Sequence, residues 1–325
     1  MGNARATIGR AWQDERPGVV AMGILCILAL ASITAPLYTQ SPNAIDPLNQ
    51  LTSPSMAHWF GRDDLGRDIF SRTMYAGRVS LGLGLVVTGV VALAGSVFGV
   101  VAGYFEAVDS LVMRVMDGMM AFPPLVLAIA LVAVMGPGIN SEFVALSVVF
   151  TPRMARVVRS VTLQLKHSKF VEAAKICGVG DFGVVTRHIL PNGIAPLIVQ
   201  ASFTFAEVIL ADAALSFLGL GVSPPTPSWG NMVAEARSFL TSDPWFAIFP
   251  GIAIVLSVVS LNIAGDAIRS IVSHGAGSGT RRAASLFRRT DRGVAESNGV
   301  ILPELSGESG TLIGDSGRSP IGEPS

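Results

Sequence analysis

The sequence predicts an all-α, polytopic membrane protein with six membrane-crossing helices. Half of the 325 residues are hydrophobic and only 14% are charged, against roughly 25% in a soluble chain. Charge is absent from blocks of 18 to 29 residues, at 17–45, 79–105, 118–141, 189–206 and 244–265. About 20 apolar residues in a helix cross the hydrocarbon core. Basic residues gather between alternate blocks, as an inserted bundle with one positively charged side requires.

The first span covers 19–38. Its basic start resembles a signal peptide, but the apolar run is long and has no clear small-x-small cleavage site, so it reads as an uncleaved span. The second covers 79–103. Within it Gly95, Gly99 and Gly103 recur every four residues. That gives one helix face without side chains, open to close approach by a neighbour, or simply reflects how common glycine is in membrane helices. The third covers 119–136, with an amphipathic lead-in around Val112 to Met120. In the fourth, an apolar run from Phe143 to Thr151 is followed by Arg153, Arg156 and Arg159. That spacing predicts a helix leaving the membrane, its guanidinium groups snorkelling into the interface. The fifth covers 194–220 and the sixth 245–265. The chain thus divides into an N-terminal tail (1–17), a first span with its outer loop (18–78), a core (79–272) with a polar loop at 153–192, and a tail (273–325).

Placing both termini inside puts twelve basic residues inside and five outside: Arg62, Arg67, Arg72, Arg78 and Arg237. The four in the first loop are matched by Asp46, Asp63, Asp64 and Asp68. From Ser273 onward the sequence turns to glycine, serine and arginine, then glycine, serine and glutamate. It has too little apolar surface to offset the entropy of ordering, so it reads as a disordered cytoplasmic tail with a basic patch near the membrane.

Several functions are excluded by what is missing. No G-x-x-x-x-G-K-S/T cradles a nucleotide, and neither H-E-x-x-H nor G-x-S-x-G is present. Cys26 and Cys177 lie in different environments and predict no disulfide; the four histidines form no metal-ligand cluster. The arginines are scattered along membrane flanks, which argues against nucleic acid as a partner. A stand-alone secondary transporter or channel would show an inverted repeat with interrupted helices at matching positions, and none is visible. An intramembrane enzyme would need converging catalytic groups. The acidic candidates in the spans are Glu207 and Asp212, which sit about 140° apart around a helix.

The polar loop is the informative segment. Phe170 to Cys177 reads as a short helix, and Gly178 suits its end because glycine adopts left-handed backbone without a Cβ clash. Asp181 is placed to cap a second short helix, and Pro191 to mark a break before the fifth span. The product is a helix–turn–helix paddle with small residues at its bend.

Glu172-Ala173-Ala174, Gly178 and Leu190-Pro191 resemble the EAA motif of ATP-binding-cassette importer permeases. Further stretches are similar to the oligopeptide/dipeptide/nickel branch of that family, and best to its C-type partner: His58 to Arg72, Leu215 to Gly221 with Pro224 to Gly230, and Asn262-x-x-Gly265-Asp266-x-x-Arg269. The resemblance covers roughly 18–272. It implies the type I importer permease fold in the bacterial inner membrane. It also implies a second homologous permease as partner, two ATPase subunits that dock on the paddle, and a periplasmic or lipid-anchored substrate-binding protein. The coupling residues would be Glu172, Ala173, Ala174, Gly178, Asp181, Leu190 and Pro191. The chain itself would bind no cofactor; ATP and magnesium would be used by the ATPases. Alternating access would carry a small solute, above all di- or oligopeptides. The family pattern is broken at Arg62 (usually small and polar), Glu207 (usually small) and Asp212 (usually glutamate). Glu207 and Asp212 are candidate pathway-lining groups. Glu207 lies past the bilayer middle and reads either as a hydrogen-bonded structural group or as a site favouring cationic cargo. Asp212 is expected nearer the interface, on a different face.

Overall fold

The computed structural model describes residues 2–270, with side chains from residue 17; the expected tail at 273–325 lies outside the described residues. Ten α-helices are found there, and no strand. They are α1 (Gly2–Tyr38), α2 (Ile69–Tyr104), α3 (Glu106–Met120), α4 (Pro124–Met135), α5 (Ile139–Lys166), α6 (Lys169–Ile176), α7 (Asp181–Val184), α8 (Leu190–Phe217), α9 (Trp229–Ala236) and α10 (Trp245–Ser270).

Four helical stretches are long and apolar enough to cross a membrane: Pro17–Tyr38, Ile69–Tyr104, Asp181–Phe217 and Trp245–Ser270. A fifth follows if α3 and α4, bent by 90° at their junction, count as one. The expected six are not reached on this measure. The third span, anticipated as one helix over 119–136, is broken at Ala121–Pro123, where Pro123 lacks the amide that would continue the helix. The 28-residue α5 is long enough, but Glu142 at one end and its arginines at the other make it more polar than the others.

Helix α2 begins ten residues before its apolar run. Asp68 starts it, accepting from the Ser71 backbone amide and hydroxyl at 2.7 Å each, which satisfies amides that have no partner inside the helix. At its other half the glycine stripe is an interface. A Cβ on Gly95 would lie 2.5 Å from Met154 Cγ, one on Gly99 2.5 Å from the Ala155 carbonyl oxygen, and one on Gly103 2.8 Å from Thr162 Cβ. Thus α2 and α5 meet backbone to backbone, and dispersion contacts replace side chains. Around that seam Val87, Val91, Leu146, Phe150, Met154, Val208 and Leu215 form the main apolar core.

The segment between α1 and α2 folds around one buried carboxylate. Asp63 accepts from the Leu65 and Arg67 backbone amides (3.0 and 2.8 Å), from Arg67 Nε (2.6 Å) and from Arg72 Nη1 (2.5 Å). Glu235 of α9 closes the cluster, accepting from Arg67 at 3.0 Å and Arg72 at 2.9 Å. Arg62 pairs with Asp46 and reaches His58 Nε2 at 2.8 Å. The Asn49 amide and Arg62 hold the Asp46 carboxyl below its usual range, whereas burial and the neighbouring Asp63 push Asp64 up. The arginines of this loop are therefore mostly matched, as their composition predicts. Arg78 is the exception: among the described residues no carboxylate reaches it, and its guanidinium sits 5.8 Å from the Tyr75 ring centre.

Candidate functional site

Residues 167–191 form the paddle, and its turn is built by backbone rules. Helix α6 ends at Cys177, and Gly178 follows at φ +82°. The Gly178 amide donates to the Lys175 carbonyl (3.0 Å) and the Val179 amide to the Ala174 carbonyl (3.1 Å). This is the paired 5→2 and 6→1 pattern of a Schellman end, which needs left-handed backbone at its glycine. Asp181 does not cap α7 as the sequence suggests: Gly180 holds the cap position, and no side chain caps it. Asp181 instead accepts from the Tyr104 hydroxyl at 2.5 Å, tying the paddle to the end of α2.

Pro191 also behaves differently from expectation. It is the second residue of α8 and does not mark a break before it. Residues 185–189 form a π-helical turn that joins α7 to α8, so Asp181–Phe217 is one helical run without the anticipated break. Such turns are rare and recur at functional positions.

The paddle has a small core of its own. Val171, Val184 and Ile189 are buried against Tyr104, and the ammonium groups of Lys175 and Lys166 stand 5.1 and 5.8 Å from that ring's centre. Of the motif residues, Ala174 points inward, while Glu172, Ala173, Gly178, Asp181, Leu190 and Pro191 are exposed. Two large apolar side chains flank the glycine turn in the open: Ile176 at 87% exposure and Phe182 at 82%. A bare apolar pair beside small residues is what a protein partner's cleft accepts. Neither is distinctive by residue type alone, and only the turn geometry brings them out together.

The arginine row of α5 is not simply snorkelling. Arg159 makes a double contact with Asp109 (2.5 and 2.6 Å), Arg156 meets Asp117 at 2.6 Å, and Arg153 pairs with Glu207. Lys166 continues the series to Glu106 at 2.9 Å. Basic residues three and seven apart, on one face of α5, thus meet acids on α3 and α8. The Arg153–Glu207 pair borders a pocket of about 260 Å³ lined by Pro124, Leu125, Leu146, Phe150 and Leu210 among others. Both partners are partly exposed, 51% for Arg153 and 39% for Glu207.

Asp212 is buried, at 1% exposure. It lies beside Glu142, itself 0% exposed, with the Ser80 hydroxyl close by and Ser216 Oγ at 3.5 Å. Glu142 sits between two apolar blocks, and no spacing rule links it to a residue seventy positions on. The Glu142–Asp212 contact joins α5 to α8, and Ser80 extends it to α2. It does not bring Asp212 together with Glu207.

Fold and site define a multi-pass helical membrane protein that presents an exposed glycine turn flanked by bare apolar side chains. The chain belongs to the binding-protein-dependent transport system inner membrane components, whose family model matches residues 95–276. It is 42% identical over 254 residues to a putative peptide transport system permease of Brucella suis biovar 1, spanning 78% of this chain and 86% of that one. It is 43% identical over 260 residues to the dipeptide transport system permease DppC of Alkalihalophilus pseudofirmus (79% and 85%). It is 40% identical over 261 residues to the probable D,D-dipeptide transport system permease DdpC of Escherichia coli K12 (80% and 88%). It is therefore a non-catalytic, inner-membrane permease subunit of an ATP-binding-cassette importer, working with ATPase and solute-binding components.

Proposed function

We propose that this permease pairs with a second, homologous permease to form the pathway for di- or oligopeptides, and that two ATPase subunits drive it through the paddle. The names of the relatives support the cargo. The exposed Ile176 and Phe182 on either side of the Gly178 turn carry the docking role. ATP and magnesium are bound by the ATPases, and a binding protein delivers cargo at the opposite face. Both termini are cytoplasmic in this reading, because the basic residues favour that side. Six crossings complete it, with α5 counted as a span whose arginines are neutralised by partner acids. Glu172, Ala173, Ala174, Gly178, Asp181, Leu190 and Pro191 build or present the docking surface. ATP shifts the equilibrium between inward- and outward-facing states only through unequal affinity for them.

Reconstituted complexes give the test. Gly178→Leu strains a left-handed position, and Glu172→Lys reverses a surface charge, while neither removes core packing. Both are expected to leave the complex assembled or weakened and to cut dipeptide uptake and cargo-stimulated ATP hydrolysis roughly tenfold or more, the effect of about 1.4 kcal/mol in coupling. Ile176→Ser with Phe182→Ser should do the same by weakening ATPase binding. Uptake at the wild-type rate in all three would end the docking assignment.

A second measurement concerns the pathway. We infer that the Arg153–Glu207 pair faces the translocation route while Asp212 links helices. Glu207→Gln keeps the side chain's shape and removes its charge, which leaves Arg153 unneutralised beside the pocket. Transport of lysine-containing dipeptides should fall several-fold relative to neutral ones, and the exchange Arg153→Glu with Glu207→Arg should restore part of it. Identical cargo profiles in Gln and wild-type proteins would make the pair structural.

A further inference from the structure

We propose that the trough between α1, α2, α8 and α10 is a binding site for an anionic phospholipid, with Arg78 holding the phosphate. The trough encloses about 480 Å³. Its walls include Leu25, Ile33, Leu81, Phe205 and Leu261, and the one charged residue lining it is Arg78. The space exists because small residues line it. A Cβ on Gly82 would meet nothing within 4 Å, and Ala29 and Ala264 line the gap without filling it, while α1 and α2 close tightly at one end where Gly77 meets Ser32.

Length, depth and charge point to one occupant. Along α1 the lining runs from Met22 to Ile33, about 16 Å at 1.5 Å per residue, which suits an extended acyl chain better than a compact solute. Arg78 stands 26 residues before Tyr104, the end of α2 at the paddle. That is about 39 Å of helix, beyond the hydrocarbon thickness of about 30 Å and so at headgroup level on the opposite side. Its guanidinium is exposed, faces no carboxylate among the described residues, and only overlies Tyr75. The neighbouring Arg62, Arg67 and Arg72 are all consumed by carboxylates. A guanidinium fork with free donors at the mouth of an apolar trough matches a phosphodiester with an acyl chain attached. A zwitterionic head would bring a competing cation to the same place. The assignment is independent of what the importer carries.

Photo-crosslinking on the complete transporter tests this. The probes are phosphatidylglycerol and phosphatidylcholine carrying the same diazirine-bearing acyl chain, in nanodiscs, with adducts mapped by peptide mass spectrometry. Phosphatidylglycerol should label peptides containing residues 22–33 and 81–85 about fivefold more than phosphatidylcholine, the bias expected of one basic residue near anionic lipid. Arg78→Gln should bring the two probes level, and Arg78→Lys should keep most of the bias. Gly82→Phe, which fills open space, should abolish labelling by both. Equal labelling of the wild-type protein by both probes would reduce the trough to ordinary bilayer contact. Crosslinks from the trough to polypeptide in place of lipid would show a protein partner covering it. Either result overturns the proposal, and the Arg78 comparison decides even if Gly82→Phe fails to assemble.

Discussion

Gly99→Leu should empty the membrane of folded permease. A side chain at this position must enter space already held by the Ala155 carbonyl oxygen at 2.5 Å, Val158 Cβ at 2.6 Å and the Arg159 amide at 2.9 Å. Two of those three are backbone atoms, which cannot swing aside as a flexible side chain does. Overpacking in a well-packed interior usually costs about 1–3 kcal/mol; here relief would require α2 and α5 to separate along their seam, so the cost belongs at or above that range. Membrane abundance and the melting temperature of the detergent-purified complex read the effect directly. The control lies on the same helix. Gly89→Leu adds the same atoms where a Cβ meets nothing within 4 Å, and it should assemble normally. Equal abundance of the two variants would mean that α2 and α5 do not touch as described.

Asp63→Ala should be nearly as damaging, for an electrostatic reason. Asp63 is 0% exposed, Arg72 1% and Arg67 7%. Removing the carboxylate leaves two guanidinium groups in a dry cluster that shares only Glu235 and the half-exposed Asp64, together with two backbone amides that lose their acceptor. Breaking a buried ion pair by deleting one partner costs about 3–5 kcal/mol, because the surviving charge stays uncompensated. The loop between α1 and α2 should open first, since its fold depends on that centre. Faster proteolysis at residues 46–66 would report the opening, and a lower melting temperature the global cost. Asp64→Ala, at the rim of the cluster, should change little. A variant at Asp63 as stable as wild type would show that the arginines find other partners.

The two predictions differ in how far the sequence itself foreshadows them. The four-residue glycine repeat is a local pattern, and a local pattern is enough to say that one face of α2 is bare; which helix lies against it depends on tertiary packing. The aspartates and arginines of the first loop balance in number, but counting charges cannot say that Asp63 collects two of them and Arg78 none. In the paddle, Gly178 is readable because a left-handed helix end demands glycine. Asp181 is not, because a residue suited to capping is as well suited to accept from a phenol, and Tyr104 is 77 residues away in sequence. The third span fails as a single helix because hydropathy is insensitive to direction: Gly118 to Met135 carries no charge, yet Pro123 and Pro124 turn the chain. The fifth span is anticipated too short for the converse reason. Proline tends to be read as a stop, but at Pro191 a π turn has already rearranged the preceding carbonyls.

That π turn also decides how motion can travel. Because Asp181–Phe217 is one continuous run of 37 residues, about 55 Å long, the paddle end and the apolar body of α8 belong to a single lever. A tilt of roughly 10° about its far end would carry the paddle end some 10 Å. Run in reverse, and if the paddle docks as proposed above, a few ångströms of displacement at that end become a small rotation of the surface that bears Glu207. With a flexible break at Pro191 the push would be absorbed locally. With a rigid rod, the stroke arrives reduced in distance and correspondingly raised in force, and the fulcrum falls wherever α2 and α5 grip α8 most tightly.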